Sequence, residues 1–257
     1  MKNIHIRNHI LNIAIAIGSA LLLICAAKIF AESYDIRRQE ALEERLKGSD
    51  ATESEPCSPS EELYPGFYER LSELKADNDD LKGWIYIEGP EISLPVMQSG
   101  EEDRDFYLKR DFYGNESKRG TLYMDSACDR IIYGHNMKDG SMFGELDKYT
   151  DREYMRRFPQ ILLYLIRDDG KIISEKYEMV SSFTISEKKF KTEGFLRMIK
   201  GETAKDRYDL GEYLEGVNPV PVSEKINDIR EIEFLLLVTC EYSTENGRLF
   251  VVAKKIS

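Results

Sequence analysis

Short β-type segments follow one another through most of the chain beyond residue 63. They are rich in β-branched and aromatic residues, as strands are. They include GWIYIEG around Trp84, EISLPVMQ from Glu91, GTLYMD from Gly120, RIIYGH from Arg130, and two runs from Gln160 that meet at Asp169-Gly170. Two more apolar runs flank a polar loop in LLLVTCEYSTENGRLFVVAKK, residues 235–255. This many short strands predict a β-barrel or a β-sandwich.

Helical periodicity interrupts the strands in a few places. Apolar residues recur at helical spacing over residues 64–74, which predicts a short helix that opens the globular part, with Pro65 in its first turn. Further helices are expected at residues 142–148, 151–157 and 192–214. The fold is therefore expected to be mainly β, with inserted helices.

A long apolar run near the N-terminus predicts a membrane segment. Residues 10–30, ILNIAIAIGSALLLICAAKIF, would span about 31 Å as a helix, which matches the hydrocarbon thickness of a bilayer. A cleaved signal peptide is the alternative, because Cys25-Ala26-Ala27 offers small residues for cleavage. We favour an uncleaved, single-pass anchor because the run is long for a signal peptide. Lys2 and Arg7 then favour residues 1–9 as a cytoplasmic tail, with the rest of the chain outside.

Residues 31–62 connect this anchor to the globular part. The first portion, through Lys47, is rich in charged residues and helix formers, which is typical of a solvated stalk. Residues 48–62 are acidic and rich in Ser and Pro, which predicts a flexible linker. The globular domain is expected to comprise residues 63–257.

Net charge and cysteine spacing exclude several functions. The formal net charge of −11 would repel a nucleic-acid backbone, so no nucleic-acid partner is expected. The four cysteines, Cys25, Cys57, Cys128 and Cys240, form no C-x-x-C pair, which argues against a zinc site and against a dense disulfide framework. Any important cysteine is therefore expected to act alone, and no metal or cofactor is predicted.

Cys240, His135 and Arg248 form a candidate catalytic set. A cysteine attacks a carbonyl carbon as the thiolate, so it needs a base or a cation nearby. His135 is the only histidine that can serve the globular domain, because His5 and His9 precede the apolar run. It follows a β-type run at a strand exit, where scaffolds commonly display catalytic side chains. Arg248 could hold a carbonyl or an oxyanion, and it would lie near Cys240 if the last two apolar runs are antiparallel neighbours.

Each of these residues also has a structural explanation. Cys240 follows FLLLV and could be a buried core residue, while a lone His or an Arg that begins a strand is commonly structural. Cys128, seven residues before His135, is a second candidate nucleophile. Neither spacing nor periodicity brings His135 and Cys240 together.

The segments YGHNMKDGSMFGEL and LLVTC, followed by Arg248, resemble the sortases in this order, and the likeness is strongest to class B. The resemblance covers most of the chain from about Leu63, including DLKGWIYIEGPEISLPVMQ, which is similar to the first barrel strands of that family. It implies a mainly β fold, a closed sortase-type β-barrel of about eight strands with N-terminal helices and a long inserted helix before the penultimate strand. Residues 192–214 would supply that inserted helix.

The same resemblance implies a His-Cys-Arg transpeptidase site. Cys240 would be the nucleophile, His135 would protonate the leaving amine and deprotonate the incoming one, and Arg248 would position the substrate and stabilise the oxyanion. In that family the cysteine cleaves a C-terminal sorting signal of a surface protein after Thr, and the resulting thioester passes to an amine of the peptidoglycan precursor. The resemblance therefore implies an extracellular catalytic domain, anchored in the membrane of a Gram-positive-type envelope.

Three further residues, Tyr133, Thr239 and Glu241, adjoin the implied catalytic positions and are predicted to line the substrate groove, with ordinary barrel surface as the alternative. One departure from the family pattern is Leu236, at a position where the family often has Thr. No acidic cluster matches the calcium site of some class A members. Two rival functions stay open, a membrane-anchored cysteine peptidase that uses water and a catalytically silent surface-binding module with Cys240 in the core.

Overall fold

The computed structural model describes residues 2–48, 63–190, 192–201, 203–217, 233–241 and 247–256. Within them, eight strands form a closed β-barrel. The strands are β1 (Leu81–Ile87), β2 (Ile92–Met97), β3 (Leu122–Asp125), β4 (Cys128–Tyr133), β5 (Gln160–Ile166), β6 (Ile172–Ser186), β7 (Phe234–Glu241) and β8 (Gly247–Lys255). Around the barrel the order is β1-β2-β3-β4-β7-β8-β6-β5, and β5 pairs with β1 to close it. The predicted closed barrel is confirmed, and the sandwich alternative is wrong.

Six α-helices accompany the barrel in the described part of the chain. They are α1 (Lys2–Lys47), α2 (Phe67–Asp77), α3 (Arg152–Arg157), α4 (Glu187–Phe190), α5 (Glu193–Lys200) and α6 (Ala204–Val217). Pro65 was expected in the first turn of α2, but Gly66 adopts a left-handed conformation, so the helix begins only after it. A 3₁₀ helix over Gly144–Thr150 replaces the helix predicted at residues 142–148.

Two local predictions are confirmed. Strands β5 and β6 form the hairpin predicted at Asp169-Gly170, and the turn is closed by a hydrogen bond from the Arg167 N–H to the Lys171 carbonyl at 2.9 Å. Helix α3 begins after Asp151, whose carboxylate accepts a hydrogen bond from the Tyr154 N–H at 2.9 Å. Asp151 is therefore an N-cap, which fixes the start of this helix.

Apolar side chains from all eight strands fill the barrel interior. Alternation along a strand directs every second residue inward, so Leu235 and Leu237 of β7 face the interior, while Leu236 and Val238 belong to a second cluster outside. Leu236 is completely buried in that outer cluster. Its apolar side chain suits this environment, because a buried hydroxyl would need a hydrogen-bond partner.

The outer cluster lies on β4, β6, β7 and β8, and α5 and α6 contribute to it. Phe195 of α5 packs against Phe250 of β8 with ring centroids 5.9 Å apart and an interplanar angle of 79°. The predicted insertion before β7 is therefore helical, but it is not one long helix. Gly201 follows α5 in a left-handed conformation, with φ of 59°, and this conformation ends the helix.

The chain divides into two compact units, Met1–Glu44 and Arg45–Ser257. Among the described residues, the segment Leu11–Lys47 of α1 is long and apolar enough to cross a membrane, with a mean hydropathy of 2.4 in an 18-residue window. This agrees with the anchor predicted at residues 10–30, although a signal sequence near an N-terminus passes the same test. The predicted linker at residues 48–62 lies outside the described residues except for Gly48, and Cys57 lies outside them too.

In the second unit, the end of α1 is bound to α2. The Arg70 guanidinium of α2 donates hydrogen bonds to the carbonyls of Leu46 and Lys47 at 2.7 and 3.1 Å. The Arg45 side chain forms an ion pair with Asp77 at the other end of α2. The last turn of the predicted stalk is therefore part of the compact unit that contains the barrel.

Candidate active site

The β7–β8 hairpin places Cys240 directly opposite Arg248. The two strands are antiparallel, and their register pairs Cys240 with Arg248 and Thr239 with Leu249. The expectation that the last two apolar runs are antiparallel neighbours is therefore confirmed. The Cys240 side chain is partly exposed, as a thiol must be if it is to reach a substrate.

Cys240 and Arg248 lie on the outer face of the barrel. Alternation along β7 puts Cys240 on the same face as Leu236 and Val238, and alternation along β8 puts Arg248 on the same face as Phe250. These three apolar neighbours belong to the outer cluster that includes α5 and α6. The site therefore lies at the surface, where the apolar cluster ends, and not within the barrel.

The exit of β4 is hydrogen-bonded to the end of β7. The two strands are parallel, with Tyr133 in register with Val238. Beyond this pair, the Gly134 N–H donates to the Val238 carbonyl at 3.1 Å, and the Thr239 hydroxyl donates to the Gly134 carbonyl at 2.8 Å. The two segments therefore stay together past the last residue of β4.

Asn136 extends this link to Cys240 itself. Its buried side-chain amide donates to the Cys240 carbonyl at 2.8 Å and lies 3.3 Å from both carboxylate oxygens of Asp147. The residues on both sides of His135 are thus bonded to the end of β7. The backbone at His135 therefore lies next to the end of β7 that carries Cys240, although these bonds span 104 and 105 residues of sequence.

Gly134 permits this close approach of backbone and core. A Cβ atom at this position would lie 2.4 Å from Leu122 and 2.7 Å from the ring of Phe143. Both of these side chains are completely buried and cannot move aside. Any other residue at position 134 would displace the strand exit that carries His135.

A backbone carbonyl orients the His135 ring. Its Nε2 lies 2.7 Å from the carbonyl oxygen of Leu108. A carbonyl oxygen only accepts hydrogen bonds, so Nε2 carries a proton and donates it. In the neutral ring, Nδ1 is then the nitrogen that can accept a proton.

Two stacked tyrosines lie next to this site on the outer face. Tyr123 of β3 and Tyr133 of β4 are register partners, and their rings are 5.2 Å apart with an interplanar angle of 23°. Burial raises the pKa of both phenols, and Asp125 raises it further, whereas the positive charge of Arg248 opposes the shift. Both hydroxyl groups therefore stay protonated at neutral pH and can donate hydrogen bonds to a bound peptide.

The three predicted groove residues differ in their surroundings. Tyr133 lies on the outer face in register with Val238, which precedes Cys240 by two positions on the same face of β7. Thr239 is only 2% exposed, and its hydroxyl is bonded to Gly134, so its side chain is not open to a substrate. Glu241 ends β7, and its side chain lies outside the described part of the structure.

Cys128, the second candidate nucleophile, lies at the other end of β4. It is the first residue of this strand, whereas Tyr133 is the last. It is buried in the outer cluster, and its Sγ lies 3.7 Å from the carbonyl of Lys200 at the end of α5. Burial raises the pKa of this thiol, which keeps it protonated. A covered, protonated thiol is a poor nucleophile, so the structure favours Cys240 over Cys128.

Three groups that contribute to this site were not predicted from the sequence. Asn136 directly follows His135, and a polar residue at a strand exit could have indicated it. The alternation in GTLYMD could have placed Tyr123 on the outer face. The Leu108 carbonyl has no sequence signal, because every residue has such a group. The described residues contain no group of three or more His, Cys, Asp and Glu side chains that could hold a metal ion.

Sequence comparison finds relatives of one kind. No protein-family model matches the chain. The chain is 29% identical over 200 residues to Sortase B of Listeria monocytogenes, and the aligned region covers 74% of this chain and 75% of the relative. It is 26% identical over 197 residues to Sortase B of Staphylococcus aureus, and the aligned region covers 73% of this chain and 75% of the relative.

Solved structures resemble the chain in the same way. The structure of sortase B from Clostridium perfringens matches with a TM-score of 0.61 at 26% identity, covering 72% of this chain and 98% of that one. A sortase B–substrate complex from Staphylococcus aureus matches with a TM-score of 0.57 at 24% identity, covering 74% of this chain and 86% of that one. The comparison of sequences and the comparison of folds therefore agree.

Proposed function

We propose, from the premise that this chain is a sortase-family protein close to class B, that it is a cysteine transpeptidase acting on a C-terminal sorting signal. The observation that carries the proposal is the register of β4, β7 and β8, which brings His135, Cys240 and Arg248 to one end of the barrel. The relatives support a sortase transpeptidase in general.

In the first half-reaction, the Cys240 thiolate attacks the carbonyl carbon of the Thr residue in the sorting signal. The Arg248 guanidinium, opposite Cys240 in the hairpin, stabilises the oxyanion of the tetrahedral intermediate. The His135 imidazolium gives a proton to the leaving amine, so the C–N bond breaks and an acyl thioester remains on Cys240. Because Nε2 is bonded to Leu108, Nδ1 is the ring nitrogen that transfers this proton.

In the second half-reaction, an amine of the peptidoglycan precursor attacks the thioester carbonyl. His135 Nδ1 accepts the proton that this amine loses. The C–S bond breaks, the Cys240 thiolate is regenerated, and the surface protein is joined to the precursor by a new amide bond. The reaction consumes no water, metal or redox equivalent.

The stacked rings of Tyr123 and Tyr133 form one wall of the substrate groove in this proposal. Flat, partly buried aromatic rings offer contact area to an extended peptide, and their protonated hydroxyls can bind peptide carbonyls. The negative charges of Asp105 and Asp125 both act on Tyr123 and, after burial, raise the pKa of its hydroxyl. The wall therefore combines apolar ring faces with nearby acidic groups.

We also propose that residues 10–30 anchor the chain in the membrane and that the barrel acts outside it. The apolar segment within α1 supports an anchor. An enzyme that joins surface proteins to peptidoglycan works on the outer face of a Gram-positive-type envelope. Protease protection of the full chain in intact cells tests this orientation.

Cleavage of fluorogenic sorting-signal peptides by the full chain in detergent micelles tests the proposed reaction. The wild type is compared with Cys240→Ala and with Cys128→Ala as the matched control, each with and without a short glycine peptide as the amine. We expect cleavage to be lost only in Cys240→Ala, and an amine-joined product to form in the other two proteins.

Other outcomes would point elsewhere. Cleavage that survives in Cys240→Ala would exclude Cys240 as the nucleophile. A hydrolysis product alone at saturating amine would favour the cysteine peptidase. If no peptide is cleaved and a thiol reagent does not label Cys240 in the native protein, the silent surface-binding module is favoured.

A further inference from the structure

A buried arginine, Arg119, binds the loop that follows His135. Its side chain is 6% exposed and donates hydrogen bonds to the Asp139 carboxylate and to the Ser141 hydroxyl. These partners lie in residues 135–144, the histidine loop that leaves β4, whereas Arg119 lies in residues 106–121, the loop that enters β3. We propose that Arg119 is a positioning residue, which holds these two loops together and thereby orients the His135 ring for proton transfer.

The same two loops are also joined at His135 itself. Leu108, in the loop that enters β3, accepts the hydrogen bond from His135 Nε2 at 2.7 Å. The bonds from Arg119 to Asp139 and Ser141 therefore act on the same pair of segments as the bond that orients the ring. If Arg119 loses its hydrogen bonds to Asp139 and Ser141, these bonds no longer help to fix the distance between Leu108 and His135.

Internal hydrogen bonds connect Arg119 to Leu108 within the loop that enters β3. The Ser117 N–H donates to the Lys109 carbonyl at 2.9 Å, and the Arg119 N–H donates to the Ser117 hydroxyl at 3.2 Å. Gly120 lies against Leu108 so closely that a Cβ atom there would be 2.4 Å from the Leu108 carbonyl oxygen. Arg119 and the Leu108 carbonyl are thus parts of one compact loop.

The histidine loop is compact in the same way. The Ser141 hydroxyl and N–H both donate to the Asp139 carboxylate, at 2.7 and 3.1 Å. The Phe143 N–H donates to the carbonyl of His135 at 2.9 Å. A displacement of Asp139 and Ser141 is therefore transmitted to His135 and is not absorbed by a loose loop.

Stability alone gives little reason for a buried arginine at this place. The Nε of Arg119 is also buried and has no hydrogen-bond partner among the described residues. Removing a guanidinium from water is costly, and a buried ion pair commonly adds little net stability. What Arg119 does provide is a fixed position for Asp139 and Ser141.

Nitrogen NMR of the His135 ring measures the proposed effect directly. The full chain carries His5→Gln and His9→Gln, so that His135 is the only imidazole, and it is labelled with ¹⁵N-histidine in detergent micelles. In this background we expect the neutral ring to carry its proton on Nε2, as the bond to Leu108 requires. This measurement needs no substrate.

Arg119→Met and Asp139→Ala remove the contact from its two sides in that background. Arg119→Lys keeps the charge without the two-pronged guanidinium. Arg156→Ala is the matched control, because it removes an arginine from an exposed ion pair with Glu153 on α3. Melting temperatures establish which variants are folded.

We expect Arg119→Met and Asp139→Ala to show a mixture of the two neutral tautomers of His135. We also expect kcat for peptide transfer to fall about tenfold with KM nearly unchanged, since a misplaced proton donor slows the chemical step and not binding. The tautomer mixture and the kcat of Arg119→Lys should lie between those of these variants and those of the background. Both quantities should be the same in Arg156→Ala as in the background.

Unchanged ring-nitrogen spectra and unchanged kcat in folded Arg119→Met or Asp139→Ala would overturn the proposal. If Arg119→Met does not fold, Asp139→Ala decides, because the Asp139 side chain is 46% exposed and its removal leaves no large cavity. The kinetic measurement rests on the proposed function, whereas the spectra do not. A chain that transfers no peptide therefore still reports whether Arg119 orients His135.

Discussion

Replacing Thr239 with Val should loosen the link between His135 and Cys240 without disrupting the barrel. The Thr239 side chain is 2% exposed, and its hydroxyl donates to the Gly134 carbonyl at 2.8 Å. Valine has nearly the same shape but no hydroxyl. The substitution therefore removes one buried hydrogen bond between the end of β7 and the exit of β4.

The burial of this hydrogen bond sets the expected loss of stability. The lost bond should lower the free energy of unfolding by about 1–2 kcal/mol, with the larger value if the Gly134 carbonyl gains no other partner. In a chain of this size, that corresponds to a melting temperature about 2–8 °C lower. Thr239→Ser is the matched control, because it keeps the hydroxyl and loses a buried methyl group, at a cost of about 1 kcal/mol. The two variants should therefore be similar in stability but different in catalysis.

Thermal unfolding and cleavage of a sorting-signal peptide measure the two effects separately. We expect kcat to be about tenfold lower in Thr239→Val than in Thr239→Ser, because only the serine variant retains the bond that holds His135 beside Cys240. Equal kcat values in two variants of similar melting temperature would show that this bond does not position the catalytic pair.

Three further predictions concern the oxyanion, the helical insertion and pH. Arg248→Lys should lower kcat/KM by about ten- to a hundredfold, because an ammonium group does not reproduce the planar, two-pronged guanidinium. An unchanged kcat/KM would contradict the role of Arg248 in stabilising the oxyanion. Phe195→Ala should lower the free energy of unfolding by about 3–5 kcal/mol in urea denaturation, since it empties a buried contact between α5 and β8; a loss below about 1 kcal/mol would mean that the insertion is loosely packed. Burial alone would raise the pKa of Asp139, but hydrogen bonds from Ser141 and Arg119 outweigh this and hold the pKa below its usual value. Its carboxylate therefore stabilises the fold fully above the unfolded-state pKa of about 3.9, and this stabilisation is lost as the pH falls through the lower folded-state pKa. The stability difference between wild type and Asp139→Asn should thus narrow from about pH 7 to below about pH 3, and a constant difference would contradict this account.

Local patterns were enough to predict the strands and a mainly β fold, but they left a barrel and a sandwich both open. The alternation of apolar residues, the hairpin at Asp169-Gly170 and the resemblance to a known family led to the closed barrel that the structure has. Helix ends were less predictable, because they depend on the conformation of single residues. Gly66 delays the start of α2, and Gly201 ends α5 and so divides the helical insertion. The spacing of apolar residues indicates neither of these two helix ends.

The sequence predicted that Arg248 lies near Cys240 if the last two apolar runs are antiparallel neighbours, and the register of β7 and β8 confirms this. A short connection between two apolar runs favours an antiparallel hairpin, and the register of a hairpin follows from residues near each other in the chain. Only tertiary contacts bring the segment that carries His135 to this hairpin. The parallel pairing of β4 with β7 connects segments more than 100 residues apart, and no local pattern encodes such a contact. The Leu108 carbonyl and the Arg119 guanidinium gain their positions for the same reason, since each contacts the histidine loop only once the barrel has brought the two loops together.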